Sequence, residues 1–173
     1  MPPPATEMGS PPGESNPMRL RFAVLFMLLS AASAATAADV ADKSVQRQLD
    51  KRKMHYTVDA DGDFRITFDV GGGRTQLAFV RSATITYGKL RIREIRSIGY
   101  RGDGAFPQSV ANRMLEHSND AKLGAWSKQG NLAIFTARIA ADASDQQLVD
   151  AIELTARLAD ELEKELVPDK DEF

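Results

Sequence analysis

The spacing of apolar positions changes repeatedly along the chain, and each change marks an element. Residues 40–53 place Ala41, Val45 and Leu49 four apart, a narrow helical stripe. Asp39 and Asp42 lie at its start and Lys51, Arg52 and Lys53 at its end, as the helix dipole favours. Residues 55–58 lead into Asp59-Ala60-Asp61-Gly62-Asp63, a turn composition. Phe64, Ile66, Phe68 and Val70 then alternate with Arg65, Thr67 and Asp69, which predicts a half-buried strand. Beyond Gly71-Gly72-Gly73, the positions Leu77, Phe79, Ile85 and Tyr87 share one parity, the expected apolar face of the next strand. Past Gly88, Leu90 and Ile92 alternate with Lys89, Arg91 and Arg93. The apolar parity then shifts to Ile95 and returns at Ile98 and Tyr100, which predicts a bulge or bend near Glu94.

The second half changes period again. Pro107 suits the first turn of a helix over 107–118, with Val110, Met114 and Leu115 as its apolar face. Residues 123–128 and 132–139 read as strands joined at Gln129-Gly130-Asn131. Ser144 and Gln147 form a capping box that opens the clearest element. Leu148, Ile152, Thr155, Ala159, Leu162 and Leu166 follow in alternating steps of four and three, widened by Ala151, Leu154 and Leu158. Pro168 ends the helix. Such a stripe can brace a sheet, and its stepping also permits a helix pair between two chains, a homodimer. Thr155 and Ala159 make poor seam residues, so packing within one chain is the favoured expectation.

The N-terminal region has another character. Six of the eight prolines fall in residues 1–17, a stretch expected to be disordered or to precede the true start at Met18. Arg19 and Arg21 then form a basic region, residues 22–29 (FAVLFMLL) an apolar run, and small residues lead to Ala35-Thr36-Ala37. That is the layout of a cleaved signal peptide over 18–37; a membrane span would need about 20 apolar residues. Cleavage after Ala37 would leave a short segment over 38–43 and then the folded domain, which points to the periplasm.

Composition narrows the chemistry. The 173 residues contain no Cys and two His, which excludes thiol catalysis, disulfides, cysteine-based zinc sites and a three-histidine metal site. Asp59-Ala60-Asp61-Gly62-Asp63 departs from a calcium loop, because Phe64 and Val70 occupy the positions of its Gly and Glu; a hairpin turn is the better reading. Gly71-Gly72-Gly73-Arg74-Thr75 leads into a strand rather than a helix, so it reads as a hairpin loop and not a phosphate cradle. His55 and His117 lack a ligand at helical spacing and read as ordinary surface or boundary residues. Trp126, the one tryptophan, reads as core packing between strand and helix, with an exposed binding anchor as the alternative. No metal or cofactor is expected.

Charge is asymmetric. Residues 43–101 carry 13 basic and 6 acidic side chains, whereas residues 102–173 carry 7 and 14. Lys89, Arg91, Arg93, Arg96 and Arg101 crowd one strand region and, with Trp126, are the candidate partner-binding residues. The bland account is a solvated sheet face opposite a solvated acidic helix. The functional account is a basic sheet face for an acidic protein or for anionic lipid headgroups. Nucleic acid is disfavoured by the export signal and the acidic pI of about 5.7.

The element order and several local strings resemble the bacterial YbjN domain family. The matching pieces are YTVDADGDFRITF over 56–68, REIRSIGY over 93–100, Leu115 through Asn119 to Leu123-Gly124-Ala125-Trp126, Gly130-Asn131-Leu132, and the final helix over 148–166. The resemblance covers residues 44–166. It implies an α+β fold like that of type III secretion chaperones, an antiparallel sheet with helices on one side; the element order read from the residues is α-β-β-β(-β)-α-β-β-α, and a flexible tail is expected over 167–173. The family carries no recognised catalytic motif. The expected function is therefore a non-enzymatic, exported, chaperone-like module that binds another protein, with a peripheral binder of anionic membrane or envelope components as the alternative. The export signal sets this chain apart from cytoplasmic relatives.

Overall fold

The computed structural model describes residues 40–173, so the expected leader and cleavage site lie outside the described residues. Helix α1 spans Lys43–Lys51, followed by strands β1 (Thr57–Val58), β2 (Phe64–Gly71), β3 (Arg74–Tyr87) and β4 (Leu90–Arg101). Helix α2 (Gln108–Asp120), strands β5 (Ala125–Gln129) and β6 (Leu132–Ala140) and helix α3 (Asp145–Leu166) complete the order. The strands form one antiparallel sheet in the order β1-β2-β3-β4-β6-β5. This is the α+β class and, in broad terms, the order that the apolar spacing predicts.

One face of the sheet is covered by all three helices. Phe64 and Ile66 of β2, Ala78 and Val80 of β3, Ile95 of β4, and Phe135 and Ala137 of β6 meet Val45 and Leu49 of α1 and Leu148, Ala151 and Ile152 of α3. A second cluster joins Val110 and Met114 of α2 to Ala133 and Leu162. Helix α3 lies against this face because its stripe is wide enough: Leu148, Ile152, Thr155, Ala159 and Leu162 are all buried. The capping box is present, with Gln147 N–H donating to Ser144 Oγ and Ser144 N–H to Gln147 Oε1. Close approach of α3 requires Gly99, where a Cβ would stand 2.5 Å from the Trp126 ring and 2.9 Å from the Ala159 carbonyl. The strand slips register there, between Ile98 and Tyr100.

Four expectations need correction. In β3 the covered parity is Gln76, Ala78 and Val80; Leu77 and Phe79 point to the uncovered face, and Ile85 and Tyr87 are exposed. The irregularity expected near Glu94 is in β3, whose residues 81–83 stand between the pairs Val80↔Ile95 and Thr84↔Arg93, opposite Glu94 alone. Leu115 is 71% exposed, because Val110 and Met114 suffice to seat α2. The expected flexible tail is docked: Glu172 N–H donates to Glu163, Arg101 pairs with Glu172, and the Arg101 guanidinium lies 5.5 Å from the centre of the buried Phe173 ring.

Candidate functional site

The expected basic sheet face is divided among three places. Lys89 and Arg91 are exposed at the tip of the β3–β4 hairpin. With Asp42, Ser44, Leu90, Arg93, Ala140, Ala141 and Asp142 they line a cleft of about 410 Å³. Arg93 lies at the bottom of that cleft and is 2% exposed. It donates to Asp42 at 2.6 Å and to the carbonyls of Arg81 and Ser82, which the β3 irregularity turns toward it. Arg93 is thus a structural cation rather than a surface one. Arg101, past the Gly99 slip, is engaged by the C-terminal segment.

Arg96 belongs to the uncovered face. There Phe79 lies opposite Arg96, Thr67 opposite Leu77, and Arg65 opposite Phe79, while Ile98 pairs with Ile134 and Glu94 with Arg138. Leu77, Phe79 and Ile98 are half-buried although no helix among the described residues covers this side. Phe79, Ile98 and Ile134 border a shallow hollow of about 220 Å³ together with Asp59, Arg81 and Arg96 and the buried Asp63. Glu94 receives Arg96 at 2.5 Å and Arg138 at 2.8 Å, a single carboxylate between two guanidiniums. Its burial alone would raise its pKa, but Arg96, then Arg138, outweigh that and hold it below the usual range. Arg65, exposed on the same face, forms no ion pair among the described residues. This face therefore combines half-covered apolar side chains with mixed charge, Arg65, Arg81, Arg96 and Arg138 beside Asp59, Asp63, Asp69 and Glu94, among which Arg65 alone of the arginines has no ion pair among the described residues.

Trp126 is not an exposed anchor. Its ring packs edge-on to Phe135 with centroids 5.4 Å apart. Its indole N–H donates to His117 Nδ1 at 2.8 Å, and its backbone N–H to Ser118 Oγ at 2.9 Å. Those bonds fasten α2 to the edge strand β5. One rim of Trp126 still borders a cleft of about 450 Å³ with Phe106, Met114 and Leu115. His117, expected at the surface or boundary, is buried as the acceptor of the indole, and its Nε2 lies 3.6 Å from Glu161. An acceptor Nδ1 leaves the proton on Nε2, a neutral tautomer suited to packing.

The other sequence candidates resolve into internal structure. Asp59 Oδ1 accepts the backbone N–H groups of Asp61 and Asp63, which makes the expected turn. Asp63 is turned inward to Ser82 N–H and Arg81. Burial raises its pKa despite those partners. The glycines at 71–73 carry the chain from β2 into β3. Arg74 points away from that turn into Asp160, Glu163 and Asp171. Those three carboxylates surround a guanidinium that already occupies the place a metal ion would take. Glu163 is fully buried, and burial raises its pKa against the N–H of Glu172 and the charge of Arg74. No sequence signal marked this cluster, since Arg74 and Asp160 are 86 residues apart.

Comparison with known proteins adds no relative: no family model matches the chain, and no curated protein matches it.

Proposed function

We propose that this chain is an exported, non-enzymatic, chaperone-like module of the YbjN type that holds an acidic, apolar segment of another protein on the uncovered sheet face. The observation that supports this reading most is the face itself: Phe79, Leu77 and Ile98 remain half-open beside Arg65 and the Arg96–Glu94–Arg138 group. Apolar side chains of a partner would gain burial there. A partner carboxylate would meet guanidiniums that Glu94 only partly neutralises. Arg81, Arg96 and Arg138 are engaged by Asp63 and Glu94, which leaves Arg65 to meet a partner carboxylate, an arrangement suited to holding a ligand. The export signal of residues 18–37 would place this activity in the periplasm.

The test is a fluorescein-labelled peptide of alternating Leu and Glu, followed by anisotropy against the full chain. Binding should weaken about tenfold in Phe79→Ser and in Arg65→Glu, a change of about 1.4 kcal/mol each. Aggregation of an acidic, chemically unfolded client should slow in the presence of the wild-type chain and not of those variants. Binding that ignores both substitutions would end this reading.

A further inference from the structure

The outer end of the β3–β4 hairpin is built differently from the sheet it leaves. Pairing of β2 with β3 stops at Phe64↔Val80, and pairing of β6 with β4 stops at Ala140↔Ile92. Beside the pair Thr86↔Arg91 only Ala141 N–H remains, donating to the Arg91 carbonyl, and the final pair Tyr87↔Leu90 has no neighbouring strand on either side among the described residues. The strands turn through Gly88 and Lys89, with Gly88 at φ +59, a conformation that closes a two-residue hairpin and suits glycine. Three of the five large apolar side chains exposed among the described residues sit on this one tip: Ile85 at 48%, Leu90 at 62% and Tyr87 at 77%. The pairs Ile85↔Ile92 and Tyr87↔Leu90 put them on the same face. Lys89 occupies the turn, and Arg91 lies on the other side of the ribbon, where its guanidinium reaches Thr84 Oγ1 at 3.4 Å. Neither cation has an ion-pair partner among the described residues, although Asp142 borders the same cleft.

We propose that this tip docks the protein on an anionic lipid bilayer, with Tyr87, Leu90 and Ile85 entering the interfacial region and Lys89 and Arg91 meeting the headgroups. The tip is a two-stranded ribbon that runs past the ends of the β2 and β6 pairings. A protein partner needs about 800 Å² per side for a stable standard interface, more than a few side chains on a projecting ribbon supply. A bilayer demands no complementary shape. Tyrosine favours the boundary between apolar and aqueous regions, and each cation near an anionic surface raises partitioning about fivefold. The ribbon's outer backbone groups lack strand partners, so insertion stops at interfacial depth rather than entering the hydrocarbon. By strand parity Leu90 and Ile92 lie on the same side of β4 as Glu94 and Arg96, so the tip continues the uncovered face assigned to protein binding, and a chain using both would present its ligand beside a membrane.

The experiment is co-sedimentation of the full chain with vesicles of phosphatidylglycerol and phosphatidylethanolamine, against phosphatidylcholine vesicles. Every variant carries the same residues 1–39, so differences between variants belong to the tip. Lys89→Gln with Arg91→Gln should lower partitioning to the anionic vesicles about 25-fold, and Tyr87→Ser with Leu90→Ser by at least tenfold. Raising ionic strength from about 0.1 to about 1 M shortens the Debye length from about 10 to about 3 Å and should release the wild type toward the level of the charge variant. Phe79→Ser should leave vesicle binding intact, which separates this proposal from the peptide-binding one. Equal sedimentation of wild type and both tip variants would overturn it. So would a fall in the mass seen by light scattering, or a loss of Leu/Glu peptide binding, in tip variants whose vesicle binding is unchanged; the tip would then be a contact between copies or with a protein.

Discussion

The root and the tip of the β3–β4 hairpin lie a few residues apart and obey opposite rules. At the root, the β3 irregularity gathers polar groups that satisfy one another. Arg93 bonds to Asp42 and two carbonyls, Ser82 Oγ donates to Gly62 O and accepts from Asp42 N–H, and Ser82 N–H donates to Asp63. At the tip, among the described residues, Lys89 and Arg91 have no carboxylate partner and Tyr87 and Leu90 have no cover. Arg91 and Arg93 share one strand face, so the strand itself does not distinguish them. What distinguishes them is whether α1 stands opposite. A cation facing the N-cap of a helix becomes part of the fold, and one two residues further out becomes part of the surface.

Substitutions can break that contrast, beginning with the largest effect. Leu162→Ala, beneath the covered face at 0% exposure, should cost about 2–5 kcal/mol in urea unfolding and sets the scale for apolar packing. Arg93→Ala should cost about 3 kcal/mol, the low end for a broken buried pair because Asp42 retains some solvent, whereas Arg91→Ala should cost nothing measurable. Equal costs for the two arginines would erase the distinction between root and tip.

Asp42→Asn should cost about 1–2 kcal/mol, since asparagine still caps α1 but loses the charge facing Arg93. Burial would raise the Asp42 pKa, yet Arg93 and the capping N–H groups outweigh it and leave the carboxyl below its ordinary value of 3.8. Its stabilising effect is therefore present above that value and lost as pH falls through the lower folded pKa. The difference between wild type and Asp42→Asn in thermal midpoint should be full at neutral pH and shrink as pH falls below the ordinary value of 3.8. Asp63 has the opposite sign: its raised folded pKa favours the folded state in acid and withdraws that benefit as pH rises. Asp63→Asn should thus cost less than Asp42→Asn at neutral pH. Tyr87→Ser with Leu90→Ser joins Arg91→Ala at the small end, within about 0.5 kcal/mol of wild type, as expected for exposed positions.

Local signals were readable where the residues that form an element also carry its pattern. The capping box of Ser144 and Gln147 and the stripe from Leu148 to Leu162 needed nothing beyond their own helix. Strand β3 misled because its covered side uses Gln76 and Ala78, small or polar residues that leave room for α3, while its larger Leu77 and Phe79 face outward. Gln76 fits the core by donating to Ser97 Oγ and the Ile98 carbonyl, partners on another strand. The charged sites were hidden for the same reason. Arg93 and Asp42 are 51 residues apart, and Arg74 is 89 from Glu163, so no window along the chain contains both members of either pair. The uncovered face and the hairpin tip likewise follow from where β2 and β6 stop, which is a property of the sheet.

Strand order has a kinetic consequence. Every pairing in the sheet except β4 with β6 joins consecutive strands, so hairpins can close one after another as the chain leaves the ribosome. The longest of the helices that cover them comes after all six strands. Its 22 residues take roughly 1–4 s to synthesise, and until they arrive Phe64, Val80, Ile95 and Phe135 have α1 but lack the stripe from Leu148 to Ile152. A nascent chain paused before residue 145 is thus a paired sheet with most of its roof missing, an aggregation-prone intermediate that holding factors would recognise.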